Sequence, residues 1–157
     1  MKNILFFSSG RADLAFIYNL FKLFDKRKNF KTSIIINDYS KVDYNFISKN
    51  KIIQIKSQKI KTGKYSLINY FGNLLKRYNA ILSKINPNYI IIVGDRYEAF
   101  AAAIVCNFLN IKIIHIAGGD VSEGAYDEEM RTYISKSAFL HFVTNIKSKK
   151  NLNDLLK

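Results

Sequence analysis

Tyr89-Ile90-Ile91-Ile92-Val93-Gly94-Asp95-Arg96 is the stretch on which the reading of this chain turns. A β-branched run, Ile90 to Val93, stops at a glycine followed by a carboxylate. The pattern returns in Ile111-Lys112-Ile113-Ile114-His115-Ile116, which gives way to Gly118-Gly119-Asp120. Short continuous runs of this kind read as central strands of a parallel sheet covered on both faces. Open α/β sheets hold ligands outside the carboxyl ends of such strands, so Asp95 and Asp120 are candidates for proton transfer.

Outward from this stretch the chain alternates. Asn3 to Ser8 reads as a first strand, followed by Ser9-Gly10-Arg11 and a helix from Ala12 to Asp25, where Leu14, Ile17, Leu20, Phe21 and Phe24 recur at helical spacing. Thr32 to Ile36 and Ile52 to Ile55 read as further strands, with an ill-defined segment between them through Asn50. The lysine-rich stretch Lys56 to Lys64 is expected to be an exposed loop. A helix from Tyr65 to Ile85 is stopped by Asn86-Pro87-Asn88. Then come strand Tyr89 to Val93, helix Arg96 to Leu109, strand Ile111 to Ile116, helix Asp127 to Ser137, strand Leu140 to Val143 and a terminal helix. Strict alternation implies a Rossmann-like parallel sheet with helices on both faces and right-handed crossovers. No G-x-G-x-x-G follows the first strand, which removes support for a dinucleotide cofactor.

With 157 residues, the expectation is one compact domain covering 1–157. No apolar run approaches the roughly 20 residues that span a bilayer, and Ile4-Leu5-Phe6-Phe7 is too short for a signal-peptide core, so a soluble cytoplasmic protein without a membrane partner is expected. The net charge of +13 invites a nucleic-acid reading, but the lysines are scattered among Asn, Ile, Tyr and Phe, and no nucleic-acid partner is expected. Cys106 stands alone, so neither a disulfide framework nor a cysteine metal site can be built; its expected role is structural burial. His115 and His141 lack a metal-ligand set in sequence and read as core or supporting residues, and no metal is expected.

Each candidate carries a plain alternative. Asp95 and Glu98 have capping-box spacing. Gly118 and Gly119 allow a ligand to approach the backbone, or make a tight turn. Asp127, Glu128 and Glu129 fall in a first helical turn, where the helix dipole favours negative charge, and for Glu128 and Glu129 that explanation is preferred. Asp127 and Arg131 are four apart and could pair on one helix face. Arg11 could hold a phosphate through its planar fork or be a solvated loop cation.

Taken together, Val93-Gly94-Asp95-Arg96-Tyr97-Glu98, His115-Ile116-Ala117-Gly118-Gly119-Asp120-Val121-Ser122-Glu123-Gly124-Ala125-Tyr126-Asp127-Glu128, Arg131, Ile134-Ser135-Lys136-Ser137 and Leu140-His141-Phe142 resemble the hydrolysing UDP-N-acetylglucosamine 2-epimerases of sialic and legionaminic acid biosynthesis. Ser9-Gly10-Arg11-Ala12-Asp13 is similar to that family's amino-terminal signature. The resemblance spans the chain but matches only the first half of such an enzyme, whose fold is a pair of Rossmann-like domains of GT-B type with the active site between them.

The resemblance implies elimination of UDP from UDP-N-acetylglucosamine, or of GDP from the guanosine analogue, followed by hydration to N-acetylmannosamine, with no cofactor. It implies Asp95 and Asp127 as proton-transfer residues and places Arg11 near the substrate diphosphate; Asp120, at the second strand end, is the candidate for a third proton-transfer group. Gly118, Gly119 and Arg131 are taken as substrate-binding. It also implies a carboxyl-terminal domain and a homo-oligomer at full length, so the chain is expected to be either half of a split enzyme with that domain as a separate partner or a truncated product without turnover of its own. Three positions depart from the family pattern: Ala117 and Asp120 stand where acidic residues, commonly Glu at the second, are usual, and Thr132 stands where His normally follows Arg131. The competing expectation is a non-catalytic Rossmann-like module that binds a nucleotide sugar or a protein.

Overall fold

The computed structural model describes residues 1–38, 47–48, 51–56, 65–121 and 127–157. Their elements run β1 (Lys2–Ser8), α1 (Arg11–Asp25), β2 (Phe30–Asp38), β3 (Ile52–Lys56), α2 (Ser66–Ile85), β4 (Tyr89–Val93), α3 (Tyr97–Phe108), β5 (Lys112–Ile116), α4 (Asp127–Ser137), β6 (Leu140–Phe142) and α5 (Ile146–Leu155). The strands form one sheet in the order β3-β2-β1-β4-β5-β6, and every pairing is parallel. The Rossmann-like α/β expectation is met. Most of the expected lysine-rich loop, residues 57–64, lies outside the described residues, as does the Ser122-to-Tyr126 part of the family-like motif.

The alternation of side chains along β1 divides the interior in two. Leu5 and Phe7 point into the layer beneath α2 and α3, with Tyr78, Leu82, Ala101, Ala102 and Ala103. Ile4 and Phe6 point the other way, toward Leu14, Ile17 and Phe21 of α1. Strands buried on both faces lose the polar alternation of a half-exposed strand, which explains the continuous apolar runs. Helix α3 is nearly all apolar because it is sandwiched: Ala99, Ala101, Ala102, Ala103 and Cys106 are each fully buried. Their small side chains let the helix lie close to the sheet. Burial pushes the Cys106 thiol up to about 12, so it stays a neutral core group.

Two local devices fix the ends of α2 and β1. Asn86 caps α2 in the left-handed conformation, φ 45°, and Pro87 prevents the helix from continuing. Asn88 then accepts the Asn3 amide through its side chain at 2.7 Å and donates its own amide to the Asn3 carbonyl at 2.9 Å, setting β4 beside β1. At the opposite, carboxyl edge, the buried Tyr78 hydroxyl donates to Asn37 Oδ1 at 2.8 Å, and Asn37 Nδ2 donates to the Ser8 carbonyl at 3.0 Å. The chain winds outward from β1 in both directions, so the β1 and β4 ends form the switch-point crevice where α/β sheets receive ligands.

Candidate active site

Three loops deliver the candidate residues to this edge: Ser9-Gly10 after β1, Gly94-Asp95-Arg96 after β4, and Ala117 to Asp120 after β5. Gly94 adopts φ 72°, turning the chain sharply at the end of β4 and bringing Asp95 over the rim. Asp95 pairs there with Arg131 of α4, whose Nη2 donates to Asp95 Oδ2 while its Nη1 donates to the Asp120 carbonyl. Both side chains are largely withdrawn from water, Arg131 at 12% and Asp95 at 15% exposure. One planar guanidinium thus links the ends of two neighbouring strands, a geometry its fixed fork of donors suits.

This corrects two expectations drawn from spacing. Asp95 and Glu98 do not form a capping box: the residue capping α3 is Arg96, in extended conformation with no side-chain cap hydrogen bond. Asp95 is engaged by Arg131 and Glu98 is buried elsewhere. Arg131, for its part, is turned toward the β4 and β5 loops. Asp127 lies one turn before Arg131 in α4, on the same helix face by its spacing, and is half-buried.

Asp120 is an anchor as well as a candidate. Its Oδ1 accepts the Thr144 hydroxyl at 2.6 Å and the Ser148 hydroxyl, tying the β5 loop to the first turn of α5. Gly119 makes that contact sterically feasible: a Cβ there would stand 2.3 Å from the Ser148 carbonyl oxygen, and its φ is 77°. A Cβ on Gly118 would stand 2.9 Å from His115 Nδ1 and 3.0 Å from Ser135 Oγ. Protein packing therefore accounts for both glycines.

His115 fixes the floor. Fully buried on β5, it has Nε2 2.9 Å from the Gly94 carbonyl and Nδ1 3.1 Å from Ser135 Oγ of α4. A carbonyl can only accept, so Nε2 carries the proton and Nδ1 accepts from the Ser135 hydroxyl. Burial pushes its pKa down to about 4, so the ring is neutral across the physiological range. The supporting role expected of His115 is the one it has.

Two further groups emerge that spacing did not single out. Glu128, read as a helix-dipole residue, lines a cavity of about 340 Å³ together with Gly119, Asp120, Arg131, Thr132 and Asn151. Arg96 reaches back over the β1–α1 turn: its Nη1 is 4.0 Å from where a Gly10 side chain would begin, and its Nε donates to Glu98 Oε2 at 3.4 Å. Glu98, only 2% exposed, also accepts the Tyr70 hydroxyl at 2.8 Å. Burial, with a smaller contribution from Asp13, pushes the Glu98 pKa up to about 7. Asp13 accepts the Ser9 amide at 2.9 Å, and its pKa too is raised by burial. Arg11 begins α1, but its side chain lies outside the described residues. Among the described residues no cluster of His, Cys, Asp and Glu suits a metal, and no helix is long and apolar enough to cross a membrane.

Comparison with known proteins points the same way as the topology. The chain is 35% identical over 92 residues to the GDP/UDP-N,N'-diacetylbacillosamine 2-epimerase (hydrolyzing) of Campylobacter jejuni, a match covering 59% of this chain and 24% of that protein. It is 26% identical to the polysialic acid biosynthesis protein P7 of Escherichia coli, covering 99% of this chain and 42% of the relative. The chain thus spans less than half the length of these relatives. The solved UDP-GlcNAc 2-epimerase of Neisseria meningitidis bound to UDP-GlcNAc superimposes with a TM-score of 0.79 at 18% identity, over 98% of this chain and 43% of that one, a likeness of fold. The sheet is accordingly one half of a GT-B-type fold. A profile of the family described as UDP-N-acetylglucosamine 2-epimerase matches residues 22–156, and with this match over most of its length the chain belongs to that family.

Proposed function

We propose that residues 1–157 are the amino-terminal domain of a hydrolysing nucleotide-sugar 2-epimerase that converts UDP-N-acetylglucosamine, or its GDP analogue, to N-acetylmannosamine and the nucleoside diphosphate. The observation that carries this reading is the meeting of Asp95, Arg131 and the Asp120 loop at the rim beside the switch-point crevice. In the reaction a carboxylate removes the proton at sugar carbon 2, and the nucleoside diphosphate leaves with the electrons of the bond to carbon 1. Water then adds to carbon 1 of the glycal while a proton returns to carbon 2 on the opposite face. Proton transfer of this kind needs carboxyl groups held in different environments.

Asp95, oriented by Arg131, and Asp127, one turn from Arg131 on the same face, are assigned the proton transfers. Asp120 and Glu128, which line the 340 Å³ cavity, supply further acidic groups. Arg11 and Arg96 at the β1–α1 turn are assigned to the diphosphate, which a planar guanidinium binds with two parallel hydrogen bonds. Gly118 and Gly119 hold the Asp120 loop beneath the sugar. A carboxyl-terminal domain, covalent or separate, completes the nucleotide pocket, and the complete enzyme is a cytoplasmic homo-oligomer.

The test is to incubate the chain, alone and with a polypeptide supplying the remaining length of its relatives, with UDP-N-acetylglucosamine and GDP-N-acetylglucosamine. Release of nucleoside diphosphate together with N-acetylmannosamine is expected from the pair. Binding of nucleotide sugar by both polypeptides together, with no release, would replace this reading by that of a non-catalytic binding module.

A further inference from the structure

Among the described residues Glu98 is the one buried carboxylate, and the proton-transfer assignment does not use it. It stands on the first turn of α3, 2% exposed, between α2 and the β1–α1 turn. From α2 the Tyr70 hydroxyl donates to Oε1 at 2.8 Å, and Arg77 acts electrostatically on Tyr70. From the β4–α3 junction Arg96 Nε donates to Oε2 at 3.4 Å. From α1, Asp13 faces the same group as a second acid and also feels Arg96. Among the described side chains, two carboxyl groups and one guanidinium are therefore gathered at one turn. The far end of that guanidinium reaches Gly10, and the Arg96 side chain as a whole is 55% exposed.

We infer that Glu98 and Tyr70 are a buried positioning pair that aims Arg96 at the β1–α1 turn, and that seating the diphosphate of a nucleotide sugar there is coupled to protonation of Glu98. The inference rests on the proposed assignment of this turn to the diphosphate. Its physical basis is charge balance in a desolvated cluster. An incoming anion satisfies Arg96 and adds negative charge beside Glu98, and both effects favour the neutral carboxylic acid. The protonated acid still accepts the Tyr70 hydroxyl at Oε1, while Oε2 takes the proton and gives up its ion pair with Arg96, whose guanidinium the diphosphate then holds. Glu98 is poised for this exchange because burial has already pushed its pKa up to about 7. Proton uptake on binding means that affinity is highest at low pH and declines as pH rises through the Glu98 transition.

The experiment follows the Glu98 carboxyl carbon by NMR in the whole chain labelled at glutamate and paired with an unlabelled polypeptide supplying the remaining length of its relatives, with the signal assigned through Glu98→Gln. The titration is run without ligand and with saturating UDP-N-acetylglucosamine, whose diphosphate diester does not itself titrate between pH 6 and 9. A ligand-free midpoint near 7, moved up by roughly one unit when the sugar nucleotide is bound, is expected, with about a tenfold loss of affinity across the transition. Glu98→Gln, a mimic of the protonated acid, should bind with an affinity independent of pH over that range. A midpoint unmoved by bound ligand, or a tenfold pH dependence persisting in Glu98→Gln, overturns the coupling and leaves the diphosphate assignment standing. Failure of the paired polypeptides to bind UDP-N-acetylglucosamine at millimolar concentration overturns both.

Discussion

Arg131 and Asp95, 36 residues apart, meet as an ion pair that joins the start of α4 to the end of β4. The same guanidinium donates to the Asp120 carbonyl, so the orientation of Asp95 depends on the β5 loop as well as on its own strand. Isolated pairs on a protein surface contribute little, but this one is mostly desolvated, and removal of one partner would leave the other charge uncompensated.

Replacing Asp95 by Asn keeps the shape and one acceptor for Arg131 while removing the carboxylate to which the proposed function assigns proton abstraction. In the reconstituted enzyme, nucleotide release should fall by about two to four orders of magnitude, with circular dichroism unchanged. Release at the parental rate in a folded Asp95→Asn protein would overturn the assignment.

Gly119 and Gly94 separate two reasons for glycine. Both have positive φ, but a Cβ on Gly94 meets nothing within 4 Å, whereas one on Gly119 collides with the Ser148 carbonyl. Gly94→Ala should cost about 1–2 kcal/mol, the price of the left-handed conformation. Gly119→Ala adds overpacking of about 1–3 kcal/mol and should loosen α5. Urea midpoints that rank the two variants in the reverse order would contradict the packing described.

Asp120→Ala tests the anchoring role apart from any chemistry. It leaves the Thr144 and Ser148 hydroxyls without their shared acceptor, and a loss of about 1–3 kcal/mol is expected. The change should be local: amide exchange in α5 should accelerate, while β1 and β4 keep their protection. Uniform protection across α5 in the variant would show that the contact does not hold the helix.

Two buried groups give stability a distinctive pH dependence. His115 titrates at about 4 folded, below its ordinary 6.5, and favours folding above 6.5, with that contribution lost as pH falls toward 4. Glu98 titrates at about 7 folded, above its ordinary 4.5, and its contribution is fully present below 4.5 and lost as pH rises through 7. Between 4.5 and 6.5 the two slopes oppose each other. Glu98→Gln removes one of them. Its stability relative to the parent should rise by about 1.4 kcal/mol per pH unit across that interval, as measured by denaturant unfolding. Parallel curves would show that Glu98 is not protonated in the folded chain.

The sheet was legible because its strands are buried on both faces, which writes uninterrupted runs such as Ile90 to Val93 into the sequence. The rim was legible in part, because a strand end followed by Gly-Asp is a local pattern. What pairs across the rim is not local. Spacing suggested that Asp95 would meet Glu98 and Arg131 would meet Asp127, both within a helical turn, yet the tertiary fold brings Arg131 to Asp95 and Tyr70 to Glu98 instead. Glu128 looked like a dipole residue because cavities have no one-dimensional signature. Gly118 and Gly119 looked ready for a ligand, since a sequence does not say whether the atom pressing on a glycine belongs to a substrate or to Ser148.

The single imidazole of His115, braced between the Gly94 carbonyl and Ser135, triangulates the carriers of Asp95 and Arg131. Three struts meeting at one node resist shear, so the acidic rim is fixed by the fold itself, and any ligand received there would cost it little freedom.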